Sequence, residues 1–215
     1  TLTKYALQNE TFKTVCETPR YAMPATNMHG ERTLVTTNAL QDSNTNYYYR
    51  GRAKGVKTGF TDESGRCLVS TASYNNYNYM CILFGCTNSP SKRYDFIETK
   101  ELYRWAFNNF SYKEVANSDE PVCEIPLNLS LDTDHAPLYF KEPFVSILPN
   151  EADDSTLVVK YNLNQESVDA PIKKGDVFGI VGLNDRAAHL LRRLAGRYVR
   201  EKLRIVVLDE LDPSR

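Results

Sequence analysis

A chain of 215 residues, 41% apolar and 25% charged, can bury one large core or two modest ones. Its formal net charge of -1 excludes the global basic field that nucleic acid or an anionic membrane would draw on, and no apolar run approaches the roughly 18–20 residues of a membrane span. It opens at Thr1-Leu2-Thr3-Lys4 with neither a start Met nor a signal-peptide core, as if in mid-fold, and Cys16, Cys67, Cys81, Cys86 and Cys123 show no metal-ligand spacing, which makes them small apolar side chains rather than a disulfide framework.

Leu2, Tyr5, Ala6, Phe12 and Val15 recur at helical spacing and predict a helix over 1–15 that packs on a core and ends before Pro19. Residues 19–50, with Pro19, Pro24 and the triplet Tyr47-Tyr48-Tyr49, read as ordered loops, the tyrosines packing a loop against the body. Next comes a strand carrying Lys57-Thr58-Gly59, a polar turn closed by Gly65, and β-rich runs at 66–73 and 77–85 joined by Tyr74-Asn75-Asn76. Met80-Cys81-Ile82-Leu83-Phe84 is apolar on both parities, which predicts an antiparallel sheet with helices on both faces.

Ser89 followed by Pro90 predicts a helix start, and the helix runs to about residue 110. Phe96, Tyr103, Phe107 and Phe110 form one apolar stripe, and Tyr94, Ile97, Leu102, Trp105 and Ala106 a second. The polar 111–121 stretch then marks a domain boundary, and short β-like runs between prolines predict a small all-β domain of sandwich type. Within 184–202 a basic amphipathic helix breaks the pattern. Such a helix can attach peripherally to an anionic membrane, although a helix docked on the β domain with a solvated charged face is the preferred reading. A closing strand follows at 205–208. His29, His135 and His189 lie in dissimilar settings, and Glu151, Asp153 and Asp154 read as turn charges, so neither a metal nor a cofactor is expected.

The chemistry sits on the Lys-Thr-Gly strand. A cation, a hydroxyl and a residue without a side chain suit a small anionic substrate lying against the strand: Lys57 supplies field, Thr58 a hydrogen bond and Gly59 clearance. The fuller string runs from Asn38-Ala39-Leu40 through Gly55-Val56-Lys57-Thr58-Gly59-Phe60-Thr61 to Ser64-Gly65-Arg66-Cys67-Leu68-Val69. It resembles the serine D-alanyl-D-alanine carboxypeptidases, low-molecular-weight penicillin-binding proteins of bacterial cell-wall metabolism, and the likeness extends over about residues 1–180.

That resemblance implies an α/β (α+β) fold. Residues 1–110 correspond to the C-terminal part of a β-lactamase/transpeptidase-like domain, and 111–215 to a β-rich stalk, best matched at Ala170-Pro171-Ile172-Lys173-Lys174-Gly175-Asp176-Val177. Around 184–202 the likeness lapses. It implies that Lys57, Thr58 and Gly59 hold the substrate's terminal carboxylate, that the Phe60 N–H is an oxyanion-hole donor, and that Arg93 assists with the carboxylate. The implied partners are peptidoglycan stem peptides ending in D-Ala-D-Ala, and β-lactams as inhibitors of the complete enzyme, in an extracytoplasmic, secreted or membrane-associated setting. Neither nucleic acid nor a cofactor is implied.

In the family the order along the chain is S-x-x-K, S-x-N, K-T-G. Here Ser89-Pro90-Ser91-Lys92 and Ser73-Tyr74-Asn75 fit the first two patterns but lie downstream of the third, as chance matches do. The nucleophile and its base lysine are therefore expected outside this chain, which is inactive alone. Two other functions share the strand. A serine β-lactamase is disfavoured by the long β-like tail, and a non-catalytic wall-binding module would keep the strand without the nucleophile.

Overall fold

The computed structural model describes residues 1–151, 159–183 and 205–210. One side chain divides the helix expected over 1–15. Asn9 is extended (φ -85°, ψ 114°) and its Oδ1 accepts the Phe12 N–H at 3.0 Å, which ends α1 (Leu2–Ala6) and caps α2 (Glu10–Glu17). Neither helix buries a residue, and Leu2, Tyr5 and Val15 are exposed, so this stripe does not pack on a core as expected. The stretch read as loops contains a hairpin, β1 (Arg20–Met23) with β2 (Arg32–Val35). Both strands lie at the surface, so no alternation of apolar and polar residues signals them.

The expected meander is present as β3 (Ala53–Thr61), β4 (Gly65–Tyr74) and β5 (Tyr77–Cys86), all antiparallel. Gly65 makes the first turn at φ +66°, where a Cβ would lie 2.8 Å from the Cys86 carbonyl oxygen. Asn75 and Asn76, at φ 48° and 65°, make the second as a two-residue hairpin loop. Residues opposed across the ladder share a face: Leu68 with Leu83, Ser70 with Cys81 and Ala72 with Tyr79 on one, Val69 with Ile82 and Thr71 with Met80 on the other.

The first face lies under α3 (Tyr94–Asn109). Phe107 of that helix meets Tyr79 edge-on at 5.1 Å, and Tyr103 stacks on Tyr49 with ring centroids 6.1 Å apart. The helix buries a single stripe, Asp95, Phe96, Thr99, Leu102, Tyr103 and Ala106, where two were expected; Tyr94, Ile97 and Trp105 are only half-buried. It also starts later than Ser89-Pro90 suggests. Asn88 and Arg93 form a β-bridge, and the first helical bond is Ile97 N–H to the Arg93 carbonyl at 3.1 Å. Among the described residues α3 covers this face, and α2 approaches β3, where Cys16 lies against Gly55. On the opposite face Thr71 and Met80 are buried, Val69 and Ile82 half-buried and Phe84 43% exposed, so that face is covered in part.

Beyond α3 come β6 (Phe110–Ala116), β7 (Pro121–Asn128), β8 (His135–Tyr139), β9 (Phe144–Pro149), β10 (Val159–Leu163), β11 (Val168–Asp169) and β12 (Gly179–Leu183). They make small sheets: β6 with β9 and β10 with β12 antiparallel, and β11-β7-β8 with β11 parallel to β7. Ile125 and Ala136, opposed across β7 and β8, are buried. The 111–121 stretch is thus not a linker throughout, since β6 occupies most of it; with Tyr112 exposed and Phe110 buried, its alternation passes for the end of a helix.

The last strand, β13 (Ile205–Glu210), pairs antiparallel with β5 and gives the order β13-β5-β4-β3, although the sequence groups it with the β-rich region. Two compact units result: Thr1–Asn108 with β13, and the described part of Asn109–Ala187. The helix expected over 184–202, together with Asp153, Asp154 and His189, lies outside the described residues. No helix among the described residues is long and apolar enough to cross a membrane.

Asn38 pins β3 to the first unit. It is buried, its Nδ2 donates to the Gly55 carbonyl at 2.6 Å, and its Oδ1 accepts the Leu40 N–H at 3.2 Å. Gly55 itself, at φ +69°, is a bulge whose Cβ would meet the Cys16 Cβ at 3.2 Å. Asn38→Ala leaves a buried acceptor and a buried donor unmet, each costing about 1–3 kcal/mol, so urea unfolding should shift to a clearly lower midpoint. An unchanged midpoint would show that the loop is not what holds the strand. The cysteines give a second check. All five are free, and burial pushes both the Cys81 and the Cys86 thiol up to about 12. At pH 8 the two therefore stay protonated and inaccessible, so a thiol reagent followed by mass spectrometry should modify Cys67 in the folded protein, and Cys81 and Cys86 only after unfolding.

Candidate functional site

Among the described residues β3 is the outermost strand of its sheet, and one edge of it faces away from β4. Along that edge Lys57, Gly59, Phe60 and Thr61 are exposed and Thr58 is half-buried. The register decides which way each side chain projects. Lys57 pairs with Val69 and so stands on the face opposite α3, whereas Thr58 pairs with Leu68 and Phe60 with Arg66, on the α3 side. A ligand lying along the edge meets Lys57 from one face and Thr58 from the other. Lys57 Nζ donates to the Thr58 carbonyl at 2.5 Å, and the Thr58 and Thr37 hydroxyls share a hydrogen bond of 2.7 Å.

Arg93 occupies the cap position of α3. Its backbone N–H donates to the Tyr47 hydroxyl at 3.1 Å, and its guanidinium lies 4.2 Å from the Phe96 ring centroid. Nε and Nη2 donate to the two carboxylate oxygens of Asp95 at 2.9 and 2.7 Å, and Asp95 is fully buried. The fork pairs Arg93 with a fixed anion and leaves three of its five N–H groups free. Tyr47 and Tyr49 pack against α3, as the loop reading of the triplet expects.

Arg66 connects the two parts of the site. Its guanidinium lies 5.1 Å from the Phe60 ring centroid, and its Nε donates to Asn88 Oδ1 at 3.1 Å, while Asn88 bridges to Arg93 through the backbone. Tyr47, Arg66, Asn88, Ser89, Lys92 and Arg93 line an open depression of about 380 Å³. The structure thus links Phe60 to Arg93 through Arg66, and sets Lys57 on the other side of the sheet. Arg66 has a sequence signal: a turn closing Thr61 on Gly65 necessarily sets Phe60 opposite Arg66. Asp95, Asn88 and Thr37 have none, since their partners are distant or set by the start of a helix.

The two serine patterns make no catalytic pair. Ser73 Oγ donates to Asn78 Oδ1 at 2.6 Å and Asn75 lies in a turn; Ser89 Oγ accepts the Ser91 N–H at 3.4 Å, so it caps a bend and not α3. Among the described residues no group of His, Cys, Asp and Glu could hold a metal ion.

Residues 110–185 match the family model of the penicillin-binding protein 5 C-terminal domain. The D-alanyl-D-alanine carboxypeptidase DacF of Bacillus subtilis is 27% identical over 150 residues, which is 70% of this chain and 36% of that protein. DacA of Escherichia coli K12 is 26% identical over 184 residues, 85% of this chain and 40% of that protein. The chain thus spans less than half the length of these curated relatives. Among solved structures, penicillin-binding protein 5 of Haemophilus influenzae has a TM-score of 0.51 at 18% identity, covering 94% of this chain and 51% of its own. The peptidoglycan synthesis regulatory factor PBP3 of Streptococcus pneumoniae has a TM-score of 0.58 at 15% identity, covering 86% and 47%. These two structures share the fold. By sequence and by fold, the chain is a homologue of the D-alanyl-D-alanine carboxypeptidases of the penicillin-binding protein 5 family, with that family's C-terminal domain at residues 110–185.

Proposed function

We propose that the chain supplies the carboxylate-holding strand of a serine D-Ala-D-Ala carboxypeptidase, which removes the terminal D-alanine from peptidoglycan stem peptides outside the cytoplasmic membrane. The observation that carries this reading is the open edge of β3, with Lys57 and Thr58 on its two sides and Phe60 next along, in a homologue of such enzymes. An extended peptide lies on that edge as an added strand. Its terminal carboxylate accepts the Thr58 hydroxyl and sits in the field of Lys57, while Gly59 leaves room for the approach. The Phe60 N–H donates to the scissile carbonyl oxygen as negative charge develops on it. Arg93 assists through the N–H groups that Asp95 leaves free. β-Lactams, which carry a comparable carboxylate and carbonyl, bind the same edge of the complete enzyme. The match of 110–185 to a penicillin-binding protein domain weighs against a β-lactamase.

Acylation needs a serine that attacks the carbonyl carbon, a base that takes its proton, and protonation of the departing D-alanine amine; water then releases the acyl group. The one serine upstream of Lys57 is Ser43, and Asn46 stands where S-x-x-K requires lysine. The 215-residue chain is therefore expected to bind without acylating. Incubated with a fluorescent penicillin and run on a denaturing gel, it should carry no covalent label, and a stable label would refute the assignment of the nucleophile to another segment.

In the complete enzyme, Thr58→Val and Lys57→Ala each remove a charge-assisted contact worth about 1.5–3 kcal/mol, or roughly a 10- to 150-fold loss in kcat/KM. A substrate with an amidated C-terminus cannot use that contact, so wild type and variants should turn it over equally poorly. Should Lys57→Ala lower turnover of acid and amide by the same large factor, its role is proton transfer or structure rather than carboxylate recognition.

A further inference from the structure

A tight turn leads into β3 at the end remote from Thr61. The Arg52 N–H donates to the Tyr49 carbonyl at 2.8 Å, and the two residues between them, Arg50 and Gly51, stand at φ 39° and 72°. The Arg52 guanidinium lies 3.6 Å from the Tyr74 ring centroid and 5.7 Å from that of Tyr49. Both rings are anchored to α3: Tyr49 stacks on Tyr103, and Tyr74 meets Phe107 edge-on at 5.7 Å. Arg52 is therefore held in one place before any ligand arrives.

Its neighbours in kind are all engaged by their N–H groups. Arg20, Arg93 and Arg104 pair with Asp42, Asp95 and Glu101, Arg66 donates to Asn88, and Arg32 to the Met23 sulfur. Arg52, half-buried, has no carboxylate partner among the described residues, and neither has the exposed Arg50. The rings take the flat of the Arg52 guanidinium and leave its edge, where five N–H donors lie in one plane, unspent. No acid offsets this locally: from Ser43 to Thr61 the chain carries Arg50, Arg52, Lys54 and Lys57 and neither Asp nor Glu. An oxyanion can accept two parallel N–H groups from such a fork, and because the rings already hold it, little side-chain freedom is lost on binding.

We propose that Arg52, clamped between Tyr49 and Tyr74 and assisted by the field of Arg50, is an oxyanion-binding site for a phosphate or carboxylate group of an anionic ligand. The site is separate from the K-T-G edge and from Arg93. Its ring Tyr74 packs on Phe107 in the last turn of α3, whereas Arg93 stands at the start of that helix, about 20 Å away at 1.5 Å per residue. It stands or falls independently of the function proposed for β3.

The test is an NMR titration of the intact, isotopically labelled chain with inorganic phosphate, with acetate, and with sodium chloride at matched ionic strength. The Arg52 Nε–H and the backbone amides of Ser73 and Tyr74 report on the site. In wild type these signals should move and saturate with phosphate, acetate or both, and not with chloride. Saturation by phosphate alone assigns a phosphate group; equal saturation by acetate assigns a carboxylate. Arg52→Gln should weaken binding, read at Ser73 and Tyr74, by about tenfold or more, and Arg52→Lys, which keeps the charge and loses the fork, should retain part of it. Failure of both anions to saturate the Arg52 signal overturns the site, as does an equal response to chloride. Binding that survives Arg52→Gln undiminished also overturns it. The wild-type titrations vary the anion alone, so they decide the matter even if a variant folds poorly.

Discussion

The β3–β4 hairpin tolerates one register, because its turn ends on a residue at φ +66° that has 2.8 Å between a would-be Cβ and the Cys86 carbonyl. Everything at the edge follows from that count. A slip of one residue would carry Lys57 to the α3 side, turn Thr58 to the open face and separate Phe60 from Arg66. At the other end of the strand, Asn38 grips the carbonyl of the Gly55 bulge. Between these two fixed points β3 is held extended, with its outer edge unpaired among the described residues.

Charge at this edge divides into two kinds. Asp95 is entirely buried, which its bidentate contact with Arg93 makes tolerable; removing either partner would leave the other uncompensated in a setting of low polarity. That pair fixes the start of α3 and holds Arg93 against Phe96. Lys57, Arg66 and Lys92 are a different population, cations at or near the surface that pair with no carboxylate among the described residues. The first kind shapes the wall and the second is available to a ligand.

Much of this was legible in the residues. The meander was readable because three apolar runs are separated by Gly65 and Asn75-Asn76, whose conformational preferences are local. The K-T-G strand was readable for the same reason. What escaped was set by tertiary context: the β1–β2 hairpin lies at the surface and buries nothing, Asn9 caps a helix from inside an unbroken apolar period, and β6 continues directly from α3 without a turn residue between them. Arg66 was in view within the motif, yet its part depends on reading the hairpin register. Asp95 gave no sign, because an acid two residues after an arginine is ordinary until burial shows what it neutralises.

A strand edge with no described partner is open in principle to a further strand, including the same strand of a second copy. Such strand-to-strand association in the antiparallel sense sets identical residues about a twofold axis, so a pairing centred on Lys57 sets the two Lys57 side chains directly opposite each other. Their repulsion is the counterpart of their attraction for a carboxylate. A cation at this position would draw a chain with a negative end and turn away a chain of its own kind, and the screening of salt would weaken both effects together.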